Sequence, residues 1–165
     1  MSIRRRKKRR TLIFRGGEAQ KLSGAVRREA VSCCIICKDE EDNIKRCLES
    51  VKWCDEIVII DSFSSDETIR ICQEYPTRII QRAWPGYVEQ KRFALSQAKN
   101  NWVLNVDADE EVTPLLRKEI EFVLQQDDPA VDGYYIPRLV RYLGKWWWRG
   151  WYPEDSIPDA RSKNG

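Results

Sequence analysis

The sequence predicts an α/β protein built on a mostly parallel sheet with helices on both faces. Short apolar runs alternate with segments of helical periodicity along the chain, which is typical of strand–helix–strand units. The apolar runs are continuous, as in strands buried on both faces, and 165 residues are enough for one domain with a real core. Because consecutive parallel strands need a crossover connection, the intervening helices favour a parallel sheet.

The first two predicted strands flank one helix. Residues 31–37, VSCCIIC, form a continuous apolar run that ends at Lys38, and residues 56–60, EIVII, form a second run that ends at Asp61. Between them, apolar residues recur at i, i+3, i+4 and i+7, which predicts a helix with one buried face that runs to about Trp53. The residues of that face are Ile44, Cys47, Leu48 and Val51.

A second helix and a third strand follow Asp61. The side chains that can cap this helix are Ser64, Ser65 and Asp66. Its predicted buried face comprises Ile69, Cys72 and Tyr75. Pro76 ends the helix, and residues 78–81 form the third predicted strand. The tripeptide 84–86, Trp-Pro-Gly, predicts a turn, and residues 87–98 a helix with Ala94, Leu95 and Ala98 directed inward.

The last part of the pattern contains two more strands. Residues 101–106, NWVLNV, form the fourth predicted strand and place Asp107 at its end. Thr113 caps the next helix and Pro114 begins it. The apolar residues of this helix keep helical spacing: Leu116, Ile120, Val123 and Leu124. Residues 133–140 predict a fifth strand, which Pro137 restricts to an edge or a bulge.

Histidine and cysteine usage narrows the chemistry. The chain has no histidine, which excludes an imidazole base and every histidine-containing metal site. Cys34 and Cys37 have CxxC spacing. They fall within a predicted strand, however, so their side chains point to opposite faces, and no second CxxC completes a zinc site. We therefore expect the six cysteines to be free thiols that pack as small apolar residues.

Positive charge is concentrated at the N-terminus. Residues 1–30 contain eleven Lys and Arg against Glu18 and Glu29. We predict that this segment is a solvated, disordered tail, or that it reflects a start codon placed too early. Binding to an anionic lipid surface or to nucleic acid is the alternative, because clustered cations attract any polyanion. We do not expect nucleic acid to be a partner of the domain itself.

Acidic residues follow the first, second and fourth predicted strands, at Asp39, Asp61 and 107–109. The carboxyl ends of parallel strands meet at one edge of a sheet, where ligands bind. Alternation points Asp107 and Asp109 the same way, and a divalent cation with substrate phosphates would relieve their repulsion. The alternative is that these acids only solubilise the strand end and charge the next helix N-terminus. No glycine-rich phosphate loop is present.

Three ordered blocks of sequence resemble family 2 glycosyltransferases. They are CCIICKDEEDNIKRCLESVKWCDEIVIIDSFSSDET, GYVEQKRFALSQAKNNWVLNVDADEEVT and GYYIPRLVRYLGKWW followed by GWYP. The subgroup they resemble most is that of bacterial lipopolysaccharide core β-glucosyltransferases. The likeness covers residues 31–153, which we expect to form the nucleotide-sugar-binding domain with an incomplete acceptor part. The resemblance implies a GT-A fold, a UDP-sugar donor, Mg²⁺ or Mn²⁺, and inversion at the anomeric centre.

The resemblance also assigns roles to individual residues. The nucleoside would contact the loop Cys37, Lys38, Asp39 and Glu40. Asp61 would accept a hydrogen bond from uracil, and Lys91 or Arg92 would approach the base or the diphosphate. The DXD motif is Asp107, Ala108 and Asp109: the first residue would contact ribose or metal, and the last would bind the metal. The family often has Asn at the position of Asp39.

The catalytic base and the acceptor site are the least defined parts. In inverting relatives the base lies well beyond the DXD strand, and residues 154–165 do not continue the family pattern. We therefore expect a C-terminal truncation or frameshift, with Glu154 and Asp155 as the remaining candidates for the base. The aromatic cluster 146–152 could bind an acceptor sugar, lie at a bilayer surface, or pack as a flap under further chain.

These features together predict an inverting, metal-dependent enzyme. It would move a hexose from a UDP-sugar to a lipid-linked or oligosaccharide acceptor, a glycan or glycolipid, in bacterial envelope synthesis. We expect it in the cytoplasm, because no apolar run suggests a signal peptide or a membrane span. The aromatic cluster beside cationic residues leaves open a peripheral contact at the inner face of the plasma membrane. The alternative is a truncated remnant that binds nucleotide-sugar without transferring it.

Overall fold

The computed structural model describes residues 12–15, 28–126, 128, 130–136, 140–142 and 145–147. The strands are β1 (Leu12–Arg15), β2 (Val31–Cys37), β3 (Glu56–Asp61), β4 (Thr77–Gln81), β5 (Trp102–Asp107), β6 (Gly133–Tyr135), β7 (Val140–Tyr142) and β8 (Lys145–Trp147). The helices are α1 (Ile44–Val51), α2 (Thr68–Gln73), α3 (Tyr87–Ser96) and α4 (Pro114–Gln126).

Six strands form one sheet in the order β4-β3-β2-β5-β1-β6. The four strands β4, β3, β2 and β5 are mutually parallel, whereas β1 is antiparallel to both β5 and β6. Strands β7 and β8 pair separately as an antiparallel ladder. The prediction of a mostly parallel α/β sheet is therefore confirmed, and its central strand β2 is buried over its whole length.

Helices cover both faces of the sheet, as predicted. On one face the buried residues of α1, α2 and α4 join Cys33, Ile35 and Trp102 in one apolar cluster. On the other face Ala94 of α3 joins Cys34 and Ile36 in a second cluster. Alternation along β5 follows the same division, because Trp102, Leu104 and Val106 belong to the first cluster and Val103 to the second.

The cysteines behave as the sequence predicts. Cys34 and Cys37 belong to apolar clusters on opposite faces of the sheet. All six cysteines are free thiols, and all but the half-buried Cys54 are buried. Burial raises the pKa of the Cys34 thiol to about 12 and that of Cys72 to about 11. These thiols therefore stay neutral at physiological pH and pack as small apolar residues.

The N-terminal segment differs from the prediction. Residues 1–30 were predicted to be a disordered tail, yet Leu12–Arg15 form β1, inserted between β5 and β6. Their local sequence has only three apolar residues between cationic ones, so backbone pairing with β5 rather than local propensity defines this strand. At the end of the segment, Arg28 forms an ion pair with Asp55 at 2.7 Å and lies over the Trp53 ring.

Several element ends also shift. Helix α1 ends at Val51 rather than Trp53, and the predicted fifth strand, residues 133–140, is divided between β6 and the start of β7. Strand β6 lies at the sheet edge, as predicted, whereas Pro137 falls outside the described residues. The Thr113 cap is confirmed by a 3.2 Å hydrogen bond from the Leu116 N–H to Thr113 Oγ1.

Candidate functional site

Three adjacent strands end together at the carboxyl edge of the sheet. In the strand register Cys37 lies opposite Asp61, and Ile36 lies opposite Asp107. Since β3, β2 and β5 are parallel neighbours, the loops that follow them meet at this edge. The sheet therefore brings the predicted loop 37–40, Asp61 and the DXD motif to one side of the molecule.

The loops after β2 and β3 are joined by reciprocal hydrogen bonds. The Asp39 carboxylate accepts a 2.7 Å bond from the Ser65 N–H, while the Asp39 N–H donates to Ser64 Oγ at 2.9 Å. The Glu40 N–H donates to Thr68 Oγ1 at 2.7 Å. Asp39 and Glu40 thus hold the two loops together. Lys38 is exposed.

Asp61 is fully buried at the end of β3. Its carboxylate accepts hydrogen bonds from the Ser64 N–H, the Ser64 hydroxyl and, at 3.1 Å, from Gln81 Nε2. These donors already use most of its acceptor positions. Asp61 therefore fixes the loop of residues 62–64, and a base that bonded to Asp61 would have to share the carboxylate with Ser64 or displace it.

Asp107 lies in a compact polar cluster with two residues of α3. Lys91 Nζ is 2.6 Å from Asp107 Oδ1, and the Tyr87 hydroxyl donates to Oδ2 at 3.1 Å. The Lys91 ammonium also lies 4.7 Å from the centre of the Tyr87 ring. The side chains of Lys91 and Asp107 are only 9% and 17% exposed, so this ion pair is partly removed from water.

The structure distinguishes Lys91 from Arg92. Lys91 and Tyr87 are four residues apart on α3 and share the helix face that contacts Asp107. Arg92 is exposed and forms an ion pair with Glu89 at 3.0 Å. Tyr87 was missed by the sequence analysis, although its i, i+4 spacing to Lys91 was a signal that could have identified it.

The rest of the DXD motif is divided between core and solvent. Ala108 is buried in the apolar cluster below the sheet edge, and Asp109 is exposed. The Asp109 carbonyl accepts a 3.5 Å hydrogen bond from Arg46, and no partner of its carboxylate lies within the described part of the chain. The Glu110 carboxylate accepts a 2.9 Å bond from the Asp107 N–H and so fixes the turn.

The donor atoms of this motif suit a hard divalent cation that is shared with a ligand. Among the described residues no group of three or more His, Cys, Asp or Glu side chains could hold a metal ion. Two carboxylates, Asp107 and Asp109, are nevertheless what Mg²⁺ or Mn²⁺ commonly takes from a protein when substrate phosphates complete its coordination. The residues present therefore fit a metal bound together with a diphosphate.

Exposed aromatic side chains lie around the same edge. Phe63 follows β3, Trp84 follows β4, and Tyr87 begins α3. The Trp84 and Tyr87 rings are 6.4 Å apart. Of the C-terminal cluster at 146–152, Trp146 and Trp147 belong to β8 and the other aromatic residues fall outside the described chain. Glu154 and Asp155 also fall outside it. None of the described helices is long and apolar enough to cross a bilayer.

Comparison with known proteins identifies relatives of this chain. Residues 32–162 match the sequence profile described as Glycosyl transferase family 2. A protein of Rickettsia typhi named as an uncharacterised glycosyltransferase is 40% identical over 116 residues, which are 69% of this chain and 40% of that protein. The lipopolysaccharide core biosynthesis glycosyltransferase LpsC of Rhizobium meliloti is 38% identical over 130 residues, 76% of this chain and 46% of LpsC.

Solved structures share the fold at lower identity. Residues 1–349 of TarS from S. aureus superpose with a TM-score of 0.52 at 23% identity over 59% of this chain and 32% of that one. A Pyrobaculum calidifontis mannosyltransferase in complex with GDP-Man and Mn²⁺ gives a TM-score of 0.54 at 22% identity over 64% and 34%. The GT-A fold class is thereby confirmed. The chain spans about 40% of the length of the first curated relatives it matches.

Proposed function

Because the chain belongs to glycosyl transferase family 2, we propose that it transfers a hexose from a UDP-sugar to a lipid-linked or oligosaccharide acceptor. The transfer inverts the anomeric centre and serves lipopolysaccharide-type envelope synthesis. The observation that carries this proposal is the partly buried Lys91–Asp107 pair beside an exposed Asp109 at the carboxyl edge of the sheet. The LpsC relative, named for lipopolysaccharide core biosynthesis, supports the acceptor class.

The donor would lie along the sheet edge from β3 to β5. In this arrangement the base meets Asp61 and the loop of residues 37–40, and the diphosphate meets Asp107 and Asp109. Strands β3 and β5 are separated by β2 alone, so the two ends of the site are two strand spacings, about 10 Å, apart. That distance suits an extended nucleoside diphosphate rather than a compact ligand.

Asp107 and Asp109 would hold a divalent cation together with the diphosphate. When bound, the cation acts as a Lewis acid that neutralises the charge developing on the leaving oxygen. A protein of the same fold, the Pyrobaculum calidifontis mannosyltransferase, was solved in complex with GDP-Man and Mn²⁺, which supports the combination of a nucleotide-sugar with a divalent cation. Ala108, anchored in the core, keeps the turn between the two carboxylates in place.

Lys91 has two roles in this proposal. Without donor, its ammonium balances the Asp107 carboxylate at 2.6 Å, which spares the site an uncompensated, partly buried charge. With donor bound, a diphosphate oxygen beside Asp107 offers the ammonium a second anionic partner, and Lys91 then stabilises the departing diphosphate. Tyr87 holds the other carboxylate oxygen, so that Asp107 keeps its orientation while Lys91 moves.

The acceptor hydroxyl requires a base on the face of the sugar opposite the diphosphate. We propose a carboxylate that follows β5 in the chain, and within this sequence Glu154 and Asp155 are the candidates. A second candidate function is a remnant that binds donor without transferring it.

Turnover assays distinguish these functions. The protein is incubated with Mn²⁺ and, separately, UDP-glucose, UDP-galactose and GDP-mannose, with and without a lipopolysaccharide core acceptor. Acceptor-dependent release of UDP, with an anomeric coupling in the product that shows inversion, is the expected result. Binding of a UDP-sugar without acceptor-dependent release supports the remnant. No binding of any of the three donors contradicts both functions.

A further inference from the structure

Phe63 has an unusual backbone for an aromatic residue. Its φ is 59°, in the left-handed region that glycine adopts freely and bulky side chains rarely do. Among the described residues only Asp39 is a second non-glycine residue with positive φ, and aspartate tolerates this region because its short side chain bonds locally. Phe63 has no such compensation, so its conformation is strained.

The residues on both sides of Phe63 impose this conformation. The Ser62 N–H donates to the Cys37 carbonyl at 2.9 Å, and Ser62 Oγ accepts a 3.1 Å bond from the fully buried Gln90. On the other side, Ser64 donates from its N–H and its hydroxyl to the buried Asp61. The loop is thus fixed by the end of β3, by β2 and by α3, and it would hold glycine at this position more easily than phenylalanine.

The Phe63 ring gives the described part of the fold no compensating burial. It is 56% exposed, and it belongs to neither apolar cluster of the described residues. Exposure of the aromatic ring to water and the left-handed backbone are both unfavourable, and packing in the core compensates neither of them. Strained residues that are held in place by the surrounding structure are concentrated at ligand sites. We therefore expect a bound ligand to supply the compensating contact for the Phe63 ring.

The location of Phe63 in the fold indicates which part of the donor its ring contacts. Phe63 is two residues beyond Asp61, at the end of β3, whereas the DXD motif follows β5 on the far side of β2. In a donor whose diphosphate lies at Asp107 and Asp109, the hexose is attached beyond the diphosphate, and the base lies at the opposite end. A phenyl ring without a polar tip suits the flat face of a base.

We propose that the Phe63 ring stacks on the nucleobase of the donor and supplies base affinity, while the loop it belongs to reads the base edge. This inference rests on the proposed function and deepens it. Stacking on an aromatic side chain is tolerant of base identity, because every base has a π-face. Phe63 therefore contributes to binding of the nucleoside part and contributes nothing to binding of the diphosphate.

Three substitutions distinguish the effect of the aromatic ring from the effects of side-chain volume and of backbone strain. F63G removes the ring and the strain, F63L keeps apolar bulk and strain without a ring face, and F63Y keeps the ring. UDP and pyrophosphate are titrated calorimetrically in the presence of Mn²⁺, uridine is titrated by ligand-observed NMR, and the Tm of each variant is measured.

We expect F63G to bind UDP and uridine about tenfold more weakly, as loss of one stacked base implies. Its affinity for pyrophosphate stays unchanged, and its Tm rises by about 2–4 °C because the strain is relieved. F63L shows the same weakening without the rise in Tm. F63Y binds UDP like the wild-type protein.

The opposite outcomes overturn the inference. Unchanged UDP and uridine affinity in F63G, or equal weakening of pyrophosphate, shows that the ring does not act as a base platform. A lower Tm in F63G shows that the backbone at Phe63 is not strained, which removes the premise of the inference. If wild type binds UDP in a Mn²⁺-dependent way and F63G binds it equally well, only the role of Phe63 is refuted and the proposed function stands. A wild-type protein that binds neither UDP nor GDP contradicts the proposed function as well.

Discussion

Replacing Lys91 by methionine tests the polar cluster at the end of β5. The substitution keeps an apolar stem of similar length and removes the ammonium that lies 2.6 Å from Asp107 Oδ1. Removing one partner of a fully buried ion pair costs about 3–5 kcal/mol. Asp107 is 17% exposed and keeps the Tyr87 hydroxyl, so we expect a loss of about 2 kcal/mol, or about 4–8 °C in Tm.

The same variant should change two affinities in opposite directions. Without nucleotide, Mn²⁺ no longer competes with the ammonium for Asp107, and we expect its affinity to rise about tenfold, equivalent to about 1.4 kcal/mol. With Mn²⁺ saturating, UDP loses a charge-assisted contact worth about 1.5–3 kcal/mol, so its affinity falls at least about tenfold. Free Mn²⁺ is measured by electron paramagnetic resonance and UDP binding by calorimetry.

Arg92 provides a matched control on the same helix. Its side chain is 56% exposed and pairs with Glu89 rather than with Asp107, so R92M should leave Tm and both affinities close to their wild-type values. A K91M variant that binds Mn²⁺ no more tightly than wild type would show that the ammonium does not compete for Asp107. Unchanged UDP affinity in K91M would show that Lys91 does not reach the diphosphate.

Three further predictions follow from the fold. In the native protein at pH 8 only Cys54 should react with a thiol reagent, because burial raises the pKa of the other described thiols, and all six should react after denaturation; rapid native labelling of several thiols would refute this. Deleting residues 1–15 should lower the Tm, because it removes β1 from the edge of β5, whereas deleting 1–11 keeps that strand; equal Tm values for the two deletions would refute a structural role for β1. Burial alone would raise the pKa of Glu56, but hydrogen bonds from Ser32, the Lys99 N–H and Arg78 outweigh it and lower that pKa. The contribution of Glu56 to the free energy of unfolding is therefore complete above its unfolded pKa of about 4.5 and is lost as pH falls through the lower folded pKa. In E56Q the free energy of unfolding should therefore depend less steeply on pH in the acid range.

Much of the fold could be predicted because its central strands carry the signal in their own residues. Strands β2, β3 and β5 are continuous apolar runs, and α1 buries the predicted face of Ile44, Cys47, Leu48 and Val51. Strand β1 could not be predicted in this way. Four residues beside a cationic run acquire strand structure only by pairing with β5, which is distant in sequence.

The sequence predicts where the candidate site lies in the fold, but not which side chains contact one another there. Asp61 and Asp107 end two predicted strands, and the carboxyl ends of parallel strands lie at the same edge of a sheet, so the sequence predicts the edge at which both residues lie. The sequence could not decide between Lys91 and Arg92, since neighbouring helical residues differ in direction by about 100° and only the docking of α3 shows which one faces the sheet. The strained backbone of Phe63 likewise depends on tertiary hydrogen bonds that local sequence does not reveal.

Calorimetric titration of UDP with and without Mn²⁺, in wild type and in D109A, tests the central claim most directly. Asp109 is exposed and its carboxylate has no partner in the described structure, so D109A should fold with an unchanged Tm. The account predicts that Mn²⁺ strengthens UDP binding to wild type and that D109A abolishes this gain. UDP binding that is equally strong without Mn²⁺, or a gain that persists in D109A, would contradict a metal-held diphosphate at this edge.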